Sequence, residues 1–458
     1  MEGISSFVAN FSDVLWNSVL LFLLCGTGVW FTITLKFVQV RRFGDGIHKI
    51  FGGFMKKEKG AGDDGISSFQ ALTTAIAAQV GTGNLAGAAT AIAAGGAGAI
   101  FWMWVSAFFG MATIYAEALM AQKYKTVVEG QVTGGPVYYI KGAFKGTFGK
   151  ILAAIFAVLI ILALGFMGNA VQANSIGDAF STAFGINPVI VGLGLAALSF
   201  FIFAGGITRI ATVTEKLVPV MALFYIVGAV IVIGVHYQAI PTAFHDIFVG
   251  AFAPRSIAGG VIGVTVQKAM RFGVARGLFS NEAGMGSTPH AHAIAKVAHP
   301  GDQGCVAIVS VFIDTFVVLT LTALVVLTSG VVKPDGSLIG TALTQTAFST
   351  VFGGFGNIFI AICMFFFAFS TIIGWYFFGE ANVKYLFGRK AVKLYAVLVC
   401  IVVVIGSALK VELVWNLADM FNGLMVIPNL VALLALSGMV WKVSKEYDQI
   451  KKAKKKGE

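Results

Sequence analysis

Apolar runs of about 20 residues recur along the whole chain, and each is long enough to cross roughly 30 Å of hydrocarbon as a helix. Eleven such segments are predicted, lettered A to K: A 14–38, B 67–93, C 97–121, D 150–174, E 188–207, F 213–236, G 256–287, H 303–329, I 355–379, J 391–409 and K 414–441. The polar positions between them carry the second part of the pattern. Lysines and arginines fall on alternate loops: Lys36 to Lys59 after A, Lys123 to Lys150 after C, Arg209 and Lys216 after E, Lys384 to Lys393 after I, and seven lysines in the tail. The opposite loops contribute Arg255, Lys333 and Lys410. The positive-inside bias then predicts an N-terminus outside and a C-terminus inside, and the alternation itself supports an odd number of spans.

Composition agrees with the pattern and narrows it. Of 458 residues 57% are apolar and only 12% charged, against about 25% charged in a soluble domain, so a water-facing globular surface is excluded. The net charge of +11 would suggest nucleic acid in a soluble chain, but its placement on alternate loops makes it a topological signal instead. No nucleic-acid partner is expected. Cys25, Cys305, Cys363 and Cys400 lie far apart without CxxC spacing and read as packing residues. The N-terminus carries Glu2 and Asp13 and has no basic n-region, so segment A is expected to be a retained helix.

Two segments are interrupted. B reads ALTTAIAAQVGTGNLAGAATAIAA, with Gly81 and Gly83 around Thr82, and G reads GVIGVTVQKAMRFGVARGLFSNEAGMGS, with Gly273 and Gly277 among many polar residues. Single glycines in membrane helices commonly serve close packing. Here B opens a block of five spans and G opens the next five, and an odd block length inverts the second block relative to the first. Interrupted helices at matching positions of inverted repeats point to a transporter's midplane site. The chain is therefore expected to be a single polytopic domain, 1–458: an extra helix 14–38, one repeat over 67–236, a second over 256–441, and a basic cytoplasmic tail 442–458.

The stretch AAQVGTGNLAGAATAIAAGGAGAIFWMWVSAFFGMATIYAEALMAQKY resembles the first two core helices of LeuT-type sodium symporters. Within it, GGAGAIFWMWVSAFFG, together with RGLFSNEAGMGSTPHA in segment G, is similar to the signature of the sodium:alanine (or glycine) symporter family. The likeness extends over essentially the whole chain in length and span count. It implies an all-α membrane protein with a LeuT-type 5+5 inverted-repeat core, two unwound helices and one preceding helix, importing alanine or glycine with sodium across the plasma membrane by alternating access. LeuT is the type example of that mechanism, and the general scheme is carried over from it.

The local chemistry fits that expectation. A helix opening at Val80 to Asn84 frees backbone groups that hydrocarbon cannot satisfy, and an amino-acid zwitterion and a sodium ion can. Amides at Thr82 and Gly83 are expected to face the substrate carboxylate at the positive end of a half-helix. Carbonyls of Ala77 and Val80 are expected to face sodium or the ammonium group, and Gly81 and Gly83 allow close approach. Gln79 and Asn84 flank the break and either orient substrate, hold a second sodium ion (Asn84) or simply bond neighbouring helices. By the resemblance, Ser370, Thr371 and the Phe367 carbonyl in FFFAFSTIIGW complete the sodium shell. Phe166, Asn169 and Trp375 are expected at the pocket wall, and an unwound stretch from Phe272 through Gly273 to Gly277 is expected to supply carbonyls to the ammonium.

Intramembrane acids are functional candidates by default. Glu117 lies seven residues after Gly110, and the resemblance gives it the task of buttressing the unwound helix of G. Asp314 is open between binding a proton, neutralising a coupling ion and pairing with Arg271 or Arg276. Glu282 and Arg276 are candidates for a gate. His290, His292 and His299 are expected as surface loop residues, since a spacing of two does not put them on one helical face. A channel would require a repeated pore motif or charged ring, and an intramembrane enzyme a motif such as HExxH or GxSxG; neither is seen in the sequence. The remaining alternative is a LeuT-fold carrier with another small amino acid or with proton coupling.

Overall fold

The computed structural model describes residues 2–55, 65–252, 266–333, 336, 338–409 and 411–456. Among the described residues eight helices are long and apolar enough to span a membrane: A Phe7–Thr34, C Gly98–Lys123, D Gly146–Phe184, F Gly206–Val235, H Pro300–Thr328, I Phe355–Phe387, J Arg389–Ala408 and K Val414–Ala435. E, Pro188–Phe203, is a shorter apolar helix. B consists of Ser68–Gln79 and Ala88–Gly95 around an interruption, and G of Val266–Asn281 followed by a short helix Pro289–Ala293. Residues 256–265 of the expected segment G lie outside the described residues. Together these elements account for the eleven spans, and the fold is the expected LeuT-type 5+5 inverted repeat with one preceding helix.

Helix starts follow local chemistry. Ser67 and Gln70 form a reciprocal capping box before B, and the Asn187 side chain accepts from the Val189 amide in front of Pro188. His299 caps H in the same way, accepting from Gly301 N at 3.0 Å. D is much longer than its apolar run implies. A wide π-helical stretch at Ile161–Gly168 joins two α-helical halves, and the second half runs on to Phe184, where Gly185 ends it in the left-handed conformation.

Packing sorts the spans into two groups. C lies against G and H, while D lies against I and J, and E against J. B touches the first group through G and H and the second through I, and it also lies against F; A flanks C and K. At the basic end, the helix Phe43–Met55 packs on H, and the tail continues K as a second helix, Ser437–Lys456. Arg42 bonds Asp45 at 2.7 Å and also Asp448 of the tail, and Lys451 bonds Asp45 at 3.1 Å. Burial favours protonation of Asp45, but the Arg42 and Lys451 partners outweigh it and hold the carboxyl below its ordinary range. The expected basic tail is thus a docked helix.

Gly273 and Gly277 do not open a helix. Both lie inside the continuous helix Val266–Asn281. A Cβ at 273 would sit 2.4 Å from the Ala99 carbonyl oxygen, and one at 277 would sit 3.0 Å from Ser106 Oγ. These glycines let G approach C closely, the small-residue packing that membrane helices use in place of a hydrophobic driving force. The interruption comes later, at 282–288, where Glu282, Gly284 and Gly286 have φ of 58°, 94° and 78°.

Gly273→Ala is expected to lower the thermal midpoint of the detergent-solubilised protein, at a cost of about 1–3 kcal/mol, because the carbonyl it meets is backbone and cannot rotate away. Gly26→Ala, with open space around it in helix A, is the matched control. An equal midpoint for the two variants would contradict the close C–G contact.

Candidate substrate and ion site

The break in B is narrower than its sequence suggests. The first half-helix ends at Gln79, Val80 turns out with φ −82° and ψ 89°, and a π-helical turn resumes at Gly83–Gly87. Val80, Thr82, Gly83 and Asn84 are fully buried. Their polar backbone therefore needs protein or ligand partners, since each unmet group costs several kcal/mol in hydrocarbon. Side chains from three other elements meet much of that demand.

One set of partners is an oxygen cluster between B and I. Ser370 Oγ donates to the carbonyls of Phe367 at 2.8 Å and Ala77 at 3.2 Å. Thr371 Oγ1 lies 3.0 Å from the Phe367 carbonyl and 2.9 Å from that of Ala77. Two hydroxyls and two carbonyls, all buried, thus converge beside the end of the first half-helix, where Val80 turns its own carbonyl out of the helical ladder. This neutral, oxygen-only donor set has the chemistry that suits a hard cation such as sodium. Gly81 is required here: a Cβ would fall 2.3 Å from Thr371 Oγ1.

A second cluster lies between B, G and H. Asn84 accepts from Gly81 N at 2.9 Å through Oδ1 and donates from Nδ2 to Asp314 Oδ1 at 2.7 Å. Asp314 also accepts from Ser280 Oγ at 2.9 Å and from Thr315 Oγ1 at 2.8 Å. It is paired with neither Arg271 nor Arg276. Arg271 bonds Asp13 of helix A, and Arg276 makes a bidentate pair with Asp419 of K, at 2.8 and 2.7 Å.

The pocket wall departs from expectation in several places. Phe166 packs its ring against Tyr395 of J, with centroids 5.8 Å apart, and Phe272 lies against Gly95 at the far end of B; neither reaches the break. Asn169 donates to the Gly165 carbonyl in its own helix at 3.1 Å, and its Oδ1 has no partner among the described residues. The side chain of D that reaches the break is Gln172, whose Oε1 accepts from Thr82 N at 3.0 Å. The Thr82 amide expected to be open to substrate is therefore already capped. Gln79 donates to the Asn281 carbonyl at 2.7 Å and leaves its Oε1 unpartnered among the described residues. Trp375 does belong to the wall: it packs over Gly168 of D and edge-on to Phe279 of G, 5.6 Å between centroids.

The break in G is held by Glu117. Its carboxylate accepts from Gly284 N at 3.0 Å, Gly286 N at 2.9 Å and Asn429 Nδ2 at 2.7 Å. Asn429 of K also donates to the Gly284 carbonyl at 2.9 Å, so K grips the same loop. Glu282 does not face Arg276; its partners are Trp375 Nε1–H at 2.5 Å and the Ser287 hydroxyl. His290 and His292 are buried rather than on the surface, with Nδ1 of His290 2.7 Å from the Ser287 carbonyl and Nδ1 of His292 2.9 Å from Gln303 Oε1. At the end remote from the basic loops, Arg276 lies over the Trp415 ring at 4.5 Å and Phe279 packs on Trp415 at 4.8 Å, closing G onto K. At the basic end a cavity of about 290 Å³ is lined by residues that include His290, Phe377, Lys141 and Tyr385.

Two interrupted helices facing each other within a ten-helix inverted repeat define a LeuT-fold secondary transporter, not an enzyme. The solved structure of MhsT in complex with L-phenylalanine shares the fold, with a TM-score of 0.56 at 14% identity over 82% of this chain and 94% of that one. The chain belongs to the sodium:alanine symporter family, whose model matches residues 1–458. It is 42% identical to the sodium/alanine symporter AgcS of Methanococcus maripaludis over 98% of both chains. It is also 42% identical to the probable sodium/glutamine symporter GlnT of Bacillus subtilis, over 98% of this chain and 91% of that protein.

Glu117→Gln replaces one acceptor oxygen by an NH2 group that opposes an amide or the Asn429 donor. It is expected to cost about 2–3 kcal/mol of stability and to cut transport at least tenfold, more than Asn429→Ala, which leaves the two amide contacts in place. Thermal midpoints and uptake of both variants in one preparation check this ordering.

Proposed function

We propose that the protein is a sodium-coupled symporter that imports alanine, and glycine with it, across the plasma membrane by alternating access. The observation that carries this reading is the oxygen set of Ala77, Phe367, Ser370 and Thr371 built directly against the break in B. An ion there draws B and I together, because Ala77 belongs to the first and the other three residues to the second. Val80 is positioned to add its carbonyl. Substrate then lies between the two breaks: Gln79 and Asn169 offer acceptor oxygens without partners among the described residues to an ammonium group, and the amide of Gly83 is the one left for a carboxylate, since those of Gly81 and Thr82 are held by Asn84 and Gln172. The choice of a small side chain is supported by membership of the sodium:alanine symporter family.

In this reading the two blocks 67–236 and 256–441 are the repeats, and the basic end is cytoplasmic. Arg276 with Asp419 closes the outer side, and the cavity at the basic end is the inner vestibule. Asn84 and Asp314 are the candidate ligands of a second cation. A tenfold sodium gradient supplies about 1.4 kcal/mol and 100 mV about 2.3, so one ion per cycle sustains roughly several-hundredfold accumulation. The equal identity to a probable glutamine symporter supports a second reading, glutamine as substrate.

Purified protein in liposomes should accumulate labelled alanine when sodium is outside and potassium inside, and lose this accumulation when choline replaces sodium. Uptake indifferent to sodium would sink the proposal, and glutamine outcompeting alanine would move it to the second reading. Thr371→Ala removes one of the oxygens and is expected to raise the sodium concentration for half-maximal uptake roughly five- to thirtyfold, with maximal rate less affected. An unchanged sodium dependence would remove Thr371 from the ion site.

A further inference from the structure

Glu282 is an acid for which the symport scheme has no task. It is fully buried at the start of the break in G, in a left-handed backbone conformation (φ 58°) that disfavours any side chain. An ionised carboxylate offers about four acceptor positions. Among the described residues Glu282 meets two donors, Trp375 Nε1–H and the Ser287 hydroxyl, both neutral. Cations on the helices that carry Glu282 and Trp375 have other acidic partners: Arg276 pairs with Asp419, Arg271 with Asp13 and Lys384 with Glu380. A buried carboxyl with spare lone pairs and no fixed countercharge either holds a proton or accepts a cation that passes it.

Its position says which cation. Trp375 lies four residues after Thr371 on helix I, one turn nearer the basic end, so Glu282 bonds helix I one turn beyond the residues of the sodium oxygens. The next step along the same pair of segments is His290, bonded to the Ser287 carbonyl and to Asn382 Nδ2 at 2.9 Å, and stacked on Phe378. His290 and Phe377 line the 290 Å³ cavity at the basic end. Oxygens of Ser370 and Thr371, then of Glu282 and Ser287, thus descend one face of helix I toward that cavity.

We infer that Glu282 is a relay position for the coupling cation: sodium leaving the Ser370–Thr371 oxygen set is received by the Glu282 carboxylate and the Ser287 oxygens before it enters the cavity. This rests on the sodium-symport reading and adds a binding position that the central site does not contain. Sodium release is required for net uptake. It is not required for alanine exchange with saturating sodium on both sides, because the carrier then cycles with its ion bound.

The test compares these two modes in proteoliposomes. Glu282→Gln, which keeps size and hydrogen bonding but removes the charge, is expected to reduce the ratio of net sodium-driven uptake to sodium-saturated exchange about tenfold. Glu282→Asp, which keeps the charge, is expected to hold the ratio within about threefold of the natural protein. A Glu282→Gln ratio equal to that of the natural protein overturns the relay, as does an equal fall in both variants, which marks a merely structural role. Should Glu282→Gln fail to reach the membrane intact, Ser287→Ala serves in its place, with a smaller fall in the ratio expected and an unchanged ratio overturning the relay. If the natural protein itself shows no sodium-dependent exchange, it is the symport reading that fails.

Discussion

The whole arrangement depends on backbone polar groups that two broken helices set free where no water can reach them. At 80–82 and 282–288 the i to i−4 ladder stops, and the groups left over must be matched within the protein or by what it carries. The long elements around the breaks are explicable as the means of matching them. D brings Gln172 to the Thr82 amide, I brings two hydroxyls to the Ala77 carbonyl, and K brings Asn429 to the Gly284 carbonyl. The few groups that remain unmatched among the described residues, such as Gln79 Oε1 and Asn169 Oδ1, are places where a ligand gains most.

The same constraint divides the intramembrane acids. Glu117 is fixed by two backbone amides and an amide side chain, all on the break in G, and cannot change partners without releasing that loop. Asp314 is held by Asn84, Ser280 and Thr315, side chains from three different elements, so its environment changes when those elements move relative to one another. Asp419 is neutralised by Arg276 at the far end. Glu282 has two donors, both neutral, and only one of them, Trp375, comes from outside its own loop. The origin of the donors thus separates Glu117, fixed to one loop, from Asp314, shared among three elements, and from Glu282, which has no charged partner among the described residues.

Span count and order were legible because hydropathy and loop charge are summed over 20 residues and survive local error. The break in B was legible because its glycines sit in an otherwise unbroken apolar run. In G the same inference selected Gly273 and Gly277, which are packing glycines against C. The better signal was spacing: Gly284 and Gly286 repeat the glycine-x-glycine pattern of Gly81 and Gly83, and both take the positive φ that a side chain resists. The hydroxyl pair at 370 and 371 was found through family likeness, and its partners follow from geometry. Gln172 was missed in favour of Phe166 and Asn169, since the π-helical stretch of D rotates the register of the helix after it, and no periodicity argument anticipates that offset.

That offset has a physical consequence for how the site moves. A π-helical turn is rare and occurs mostly as a bulge inside an α-helix, frequently at functional sites. Three of the spans next to the breaks contain one: B at Gly83–Gly87, D at Ile161–Gly168 and H at Phe312–Leu319. Each lies beside a residue that contacts the central site, Asn84 in B, Asp314 in H and, one turn on, Gln172 in D. A shift of register in any of them rotates its polar side chain by about 100° without unfolding a helix. On the symport reading proposed above, the packing groups rock as units and an adjustable register lets Asn84, Gln172 and Asp314 exchange partners.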